Sequence, residues 1–180
     1  FNKYYCEDIY DIKNKCIVSD TSDIKNNISI KINDNLKSND ILFVASKLDR
    51  KVKNFELFLS IISKKEFDNY KKIIIGMNSD LFEGIEHLKN CEIIDCVDND
   101  KISKYYKKSK ILLITSYFDS SPNVLNEALE NNCEVVTSKN IGTFQYLDES
   151  NIIENHNDIN EWIQKIKNKI NKSNKIINNI

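Results

Sequence analysis

The 180 residues include 26 basic and 27 acidic side chains, a formal net charge of -1 and 41% hydrophobic residues. A chain of this size is one ordinary domain that buries roughly two thirds of its extended surface, so neither disulfides nor metals are needed to hold it. The charge balance excludes the broad cationic field of a non-specific nucleic-acid binder, and no apolar run approaches the roughly 20 residues of a membrane span.

The chain opens on Phe1, and Met77 is its only methionine. We therefore expect a polypeptide that starts inside something longer, or one that lost its start by processing or by the choice of fragment. Five cysteines, Cys6, Cys16, Cys91, Cys96 and Cys133, are scattered without a C-x-x-C pair, and only His87 and His156 could join them around a metal. Reduced, mostly buried thiols in a soluble, cytoplasmic protein without a metal site are the expectation. Asn, Lys and Ile dominate, whereas Arg50 is the sole arginine, Pro122 the sole proline, and Gly76, Gly84 and Gly142 the only glycines. Such a bias, read as one of nucleotide composition, erodes patterns rich in Gly and Arg.

Residues 1–40 offer one short strand candidate, Cys16-Ile17-Val18, among many Asn, Asp and Ser, and read as a linker or the tail of a preceding domain. From residue 41 to 180 short β-branched runs alternate with stretches at helical spacing, the pattern of repeated βα units. Buried strands are predicted at 41–45, 72–76, 91–94, 111–115, 134–137 and 151–153. Phe55, Phe58, Leu59 and Ile62 predict one amphipathic crossover; Leu81, Ile85 and Leu88 predict a second. Ile102, Tyr105 and Tyr106 mark a third helix. Ile159, Trp162, Ile163, Ile166 and Ile170 mark a long C-terminal one whose lysines form a solvated outer face. The fold class is α/β: a Rossmann-like parallel sheet of about six strands flanked by helices.

The segment from Thr115 to Leu129 follows a predicted strand directly. Ser121 is a natural N-cap and Pro122 a natural first helical residue, so a helix starts at the carboxyl end of a parallel strand. Open α/β sheets bind ligands there, and the positive end of the helix favours a phosphate. Val124, Leu125, Ala128 and Leu129 form the stripe that faces the sheet, leaving Asn123 and Glu127 on one flank. Asp119 lies in the loop ahead. Either acid alone reads as a turn cap or a solvated helix residue; together with Ser-Pro-Asn they read as two grips on one bound molecule.

This arrangement resembles the C-terminal, donor-binding domain of GT-B glycosyltransferases, specifically the retaining family-four enzymes with their E-x7-E motif. Here the motif is Asp119-x7-Glu127 within D-S-S-P-N-V-L-N-E-A-L. Cys133 to Ser138, followed by Ile141-Gly142-Thr143-Phe144-Gln145, resembles the family's P-V-V-A-S strand and G-G-x-x-E turn. Phe43 to Leu48, followed by Lys53-Asn54, resembles its V-G-R-L strand end and later K-G or K-N. The resemblance spans residues 41–155. Lys47 stands for an arginine, Ser46 for a glycine, Gln145 for an acid, and Asp119 is one methylene shorter than glutamate.

The resemblance implies one half of a GT-B fold, with the acceptor half in a missing N-terminal domain. Lys47 and Lys53 would contact the donor diphosphate, with Arg50 near enough to substitute. Asp119 would lie near the donor sugar, and Glu127 would accept hydrogen bonds from the ribose hydroxyls. Backbone amides around Pro122, those of Ser121, Asn123 and Val124, would hold sugar or phosphate oxygens, while Thr143, Phe144 and the Met77 region would line the pocket. The implied activity is retaining, metal-independent transfer of a sugar from a UDP-sugar or GDP-sugar to a glycan, protein or lipid acceptor. No cofactor beyond that substrate is implied, and the isolated domain would bind donor weakly and catalyse little. A non-catalytic nucleotide- or sugar-binding module and a GT-B epimerase are the alternatives.

Overall fold

Six β-branched runs, each apolar on both faces, dictate strands that must be covered on both sides, and a parallel sheet with helices front and back satisfies that demand. The computed structural model describes residues 37–177 except Glu83. The strand expected at 16–18, together with Cys6 and Cys16, lies outside them.

The strands are β1 (Asn39–Lys47), β2 (Lys72–Met77), β3 (Cys91–Ile94), β4 (Ser109–Ile114), β5 (Glu134–Ser138) and β6 (Ile152–Ile153). The helices are α1 (Phe55–Ile62), α2 (Asn99–Lys108), α3 (Asn123–Glu130) and α4 (Ile159–Ile177). All neighbouring strands pair in parallel, in the order β3-β2-β1-β4-β5-β6. This is the predicted Rossmann-like architecture, with β1 beginning two residues ahead of the boundary read from the sequence.

Alternate strand residues feed two cores. Ile41, Phe43, Ile74, Ile111 and Leu113 meet Phe55 and Phe58 of α1 and Trp162, Ile166 and Ile170 of α4. Leu42, Ile73, Leu112 and Val135 meet Tyr106 of α2 and Leu125 and Ala128 of α3 on the opposite face. The spacings read for α1, α3 and α4 therefore point where they were expected to point.

Three expectations are corrected. The stretch around Leu81, Ile85 and Leu88 is not a helix but two single 3₁₀ turns, Ser79–Leu81 and Ile85–His87. Asn78 and Gly84 take left-handed backbone angles (φ 67° and 80°), which interrupt any α-helical run, and Leu81 is exposed. The α4 lysines are not all solvated: Lys169 is buried against Asn151 and Glu134, and Lys165 donates to the carbonyl of Ile152, fastening the helix to the ends of β5 and β6. Cys133 is buried and Cys91 half-buried, but Cys96 is exposed. Burial pushes the Cys133 thiol up to about 12 and the Cys91 thiol up to about 11, so neither is a thiolate near neutrality.

The β1–β2 ladder slips between Val44 and Lys47, where three steps on β1 oppose two on β2. That bulge re-aims the end of β1 and brings its backbone close to the neighbouring strand. Gly76 makes room for it, because a Cβ there would stand 2.7 Å from the Ala45 carbonyl oxygen and 2.7 Å from the Leu48 side chain. Gly76→Ala is expected to cost about 1–3 kcal/mol of stability in urea unfolding, the usual range for overpacking a filled site.

Candidate functional site

Strand order reverses between β1 and β4, which pair in the middle of the sheet through Ile41↔Ile111 and Leu42↔Leu112. The chain leaves these two strands in opposite directions, and a crevice opens where their following loops part. Lys47 ends β1, and the loop after it carries Arg50 and Lys53; the loop after β4 carries Asp119 and leads into α3.

Lys53 and Asp119 meet there. The Lys53 ammonium donates to Asp119 Oδ2 at 2.7 Å, with 17% and 21% of the two side chains exposed. Asp119 Oδ1 accepts from the backbone N–H of Ser121 at 3.3 Å, so both carboxylate oxygens are engaged. The acid thus closes the turn before α3 and holds the lysine at once.

Several contacts fix the turn that presents Lys53. The Tyr117 N–H donates to the Val52 carbonyl at 2.9 Å, and the Thr115 hydroxyl is shared between the carbonyls of Asn54 (3.0 Å) and Lys53 (3.2 Å). Asn54 adopts φ 50°, the left-handed region that asparagine tolerates best among residues with a Cβ. Its side-chain nitrogen lies 3.2 Å from Nε2 of His156, whose Nδ1 lies 2.9 Å from the Ser138 hydroxyl. Burial lowers the His156 pKa below its ordinary value.

The β5 side is joined by backbone. Asp119 bridges Ile141, and the Gly142 N–H donates to the Asp119 carbonyl at 2.8 Å. A Cβ on Gly142 would stand 2.3 Å from the Ser120 carbonyl oxygen, so only glycine permits this approach. The next residue, Thr143, holds its hydroxyl buried with no hydrogen-bond partner, the one such side-chain oxygen or nitrogen among the described residues. An orphaned buried hydroxyl costs about 1–3 kcal/mol. A ligand oxygen or nitrogen at this place would satisfy it.

Helix α3 begins at Asn123, with Pro122 at the cap position (φ -70°, ψ 119°), one residue later than the sequence suggested. Ser121 therefore precedes the cap and makes no side-chain cap; its role in the turn is taken by Asp119. Pro122 is buried, Asn123 is exposed and Val124 half-buried. Glu127 is half-buried, and its Oε2 accepts from the phenol of Tyr106 at 2.8 Å across the α2–α3 seam. Burial first, and the bond to Glu127 second, hold the Tyr106 phenol strongly above its ordinary pKa, which keeps it a donor. Lys47 and Arg50 are exposed on the rim, outside the Lys53–Asp119 contact, and Met77 and Phe144 sit at the same edge.

Sequence reasoning missed Tyr106, Thr115, Ser138 and His156 as parts of this constellation. Tyr106 read as part of a helix stripe, Thr115 and Ser138 only as members of the segments that carry the resemblance, and His156 only as a possible metal partner of the cysteines. A separate cleft of about 520 Å3, lined by Ile73, Ile94, Tyr105, Lys101 and Lys104 among others, lies between α2 and the β2–β3 edge and includes none of the candidate residues. The Lys53–Asp119 contact at the strand-order reversal identifies the candidate site better than cavity size does. No group of three or more metal-ligating side chains occurs among the described residues. No described helix is long and apolar enough to cross a membrane.

The profile of the family described as "Glycosyl transferases group 1" matches residues 25–180. The chain belongs to that family. Similar solved structures include TarM (22% identity, TM-score 0.61, 77% of this chain and 29% of that one). They also include WaaG, a glycosyltransferase involved in lipopolysaccharide biosynthesis (19%, 0.57, 90% and 47%). A third is a trehalose-6-phosphate structure from E. coli bound with UDP-2-fluoro glucose (14%, 0.52, 80% and 41%). The fold is that of these GT-B proteins, and the chain spans less than half the length of each. No curated protein matches the chain in sequence.

Two measurements check the local geometry. Tyr106→Phe removes the donor to Glu127 and is expected to cost about 1.5–3 kcal/mol in urea unfolding, the range for losing a bond to a charged group. His156 has a lowered pKa in the fold, so the unfolded chain takes up the proton first. Stability is therefore full above the ordinary value of 6.5 and falls as pH drops below it. Unfolding at pH 7.5 and 5.5 is expected to show this loss in the native chain and less of it in His156→Gln.

Proposed function

We propose that this domain binds the nucleoside diphosphate sugar donor of a retaining glycosyltransferase, for transfer to a glycan, protein or lipid acceptor held by a further domain of a longer protein. The observation that carries the reading is the Lys53–Asp119 pair at the reversal of strand order, directly before α3. Family membership supports sugar transfer as the chemistry.

In this reading the Lys53 ammonium binds the diphosphate, assisted from the rim by Lys47 and Arg50. Charge grows on the leaving diphosphate as the glycosidic bond breaks, so a cation placed there acts on the transition state more than on the ground state. The donor phosphate takes the ammonium from Asp119, and the released carboxylate oxygen accepts from a sugar hydroxyl. Glu127, aimed by Tyr106, accepts from the ribose. The amides at the start of α3, from Ser121 to Val124, and the Thr143 hydroxyl take the remaining sugar or phosphate oxygens. Departure of the phosphate on the face that the acceptor hydroxyl enters lets the phosphate oxygen receive the acceptor proton, and the sugar is passed on with retained configuration. The UDP-2-fluoro glucose bound in the E. coli neighbour supports a UDP-sugar as the first donor to test.

Calorimetry with UDP, GDP and ADP is the direct test. UDP or GDP is expected to bind, and Lys53→Ala and Glu127→Ala are each expected to weaken the affinity at least tenfold, about 1.4 kcal/mol. Thr143→Val, which removes an unsatisfied buried hydroxyl at constant shape, is expected to raise the melting midpoint by about 2–4 °C for each kcal/mol recovered while weakening binding. Absence of nucleotide binding, or affinities indifferent to Lys53 and Glu127, would sink the reading.

A further inference from the structure

His156 stands 102 residues from Asn54 in sequence, yet the two side chains meet in a buried contact beneath the candidate site. His156 is 9% exposed and touches three of the segments that frame the carboxyl edge of the sheet. Asn54 belongs to the turn after β1, Tyr117 (ring centroids 5.8 Å apart) to the loop after β4, and Ser138 to the end of β5. The loop carrying His156 is itself held from α4. The Trp162 indole N–H donates to the His156 carbonyl at 2.9 Å, and Glu161 accepts from the N–H groups of Glu154 and Asn155 at 2.8 and 2.9 Å.

The atoms in contact set the state of the ring. An amide nitrogen only donates, so Nε2 facing Asn54 is the acceptor and the proton resides on Nδ1, which donates to Ser138 Oγ. That hydroxyl oxygen also accepts from the Asn140 N–H at 3.4 Å. The ring is a neutral imidazole with both nitrogens used.

We propose that His156 is a positioning residue for Lys53: by gripping the Asn54 side chain it holds the left-handed turn that aims the Lys53 ammonium at Asp119 and at the anion to be bound there. The Thr115 hydroxyl and the Tyr117 N–H hold the backbone carbonyls of the turn, and His156 holds the Asn54 side chain. A left-handed non-glycine residue is held against a local cost, and the histidine contact supplies a tertiary restraint on it. The purpose assigned to Lys53 rests on the donor-binding reading; the restraint itself does not.

The experiment reads Lys53 directly. The folded chain is labelled with limiting acetic anhydride and the modification of each lysine is followed by mass spectrometry. Lys53, paired and largely shielded, is expected to react more slowly than exposed Lys51. In His156→Ala and in Asn54→Gly, the latter keeping the left-handed angle without strain, Lys53 is expected to react several-fold faster while Lys51 is unchanged. His156→Gln, which can accept from Asn54, is expected to restore much of the protection. Far-UV circular dichroism and a single cooperative melt identify the folded variants, and Asn54→Gly decides the question if His156→Ala does not fold. Unchanged Lys53 labelling in a folded variant overturns the proposal. UDP titration forms a separate arm: with Lys53 already replaced by alanine, adding His156→Ala is expected to cost no further affinity. If the native chain binds no nucleotide, the donor-binding reading fails and the labelling arm still decides the role of His156.

Discussion

Parallel pairing of β1 with β4 at the centre of the sheet is the constraint on which the rest depends. It places residues 66 apart in sequence, Lys53 and Asp119, within 2.7 Å, because each follows its strand by only a few positions and both strands point the same way. The sheet interior is apolar, but its carboxyl edge is not: Asn54, Thr115, Ser116, Thr137, Ser138 and His156 are all buried there. Buried polar groups persist only when hydrogen-bonded, and a connected set makes each contact depend on the others. The edge therefore behaves as a rigid polar floor beneath the paired lysine and aspartate, with Thr115 and Thr137 bonded to backbone carbonyls and His156 linking three loops.

The strands were legible because a two-sided buried strand has no polar face to disguise, and runs such as 72–76 and 111–114 admit few other readings. Helices α1, α3 and α4 were legible from their stripes. The stretch 79–88 misled because three apolar residues at helical intervals satisfy a pattern without specifying backbone angles. Asn78 and Gly84 impose those angles, and asparagine gives weak warning of it. The lysines of α4 misled for a different reason: a long side chain buries its stem and still finds an acceptor, as Lys169 does on Asn151 and Glu134.

Within the candidate site, the two acids and Lys53 could be read from local spacing and family resemblance, since each sits in a short segment with its own signature. Tyr106 and His156 could not. A tyrosine at helical spacing looks like any core aromatic, and its phenol is distinguished only by the partner on α3. A histidine near the end of the chain has no local signal that it meets residue 54. Such contacts are set by topology, not by neighbours in sequence, so they become visible only once the order of strands is known.

The shortened acid bears on how the site balances charge. An ammonium four-fifths shielded from water is costly if left alone, and Asp119 compensates it while also closing the turn before α3. A glutamate would reach further but would give up the compact Asx-type turn that fixes Ser121. The carboxylate therefore keeps the lysine oriented, while the hydroxyl of Thr143, the residue after the Gly142 that bonds the Asp119 carbonyl, stays unsatisfied.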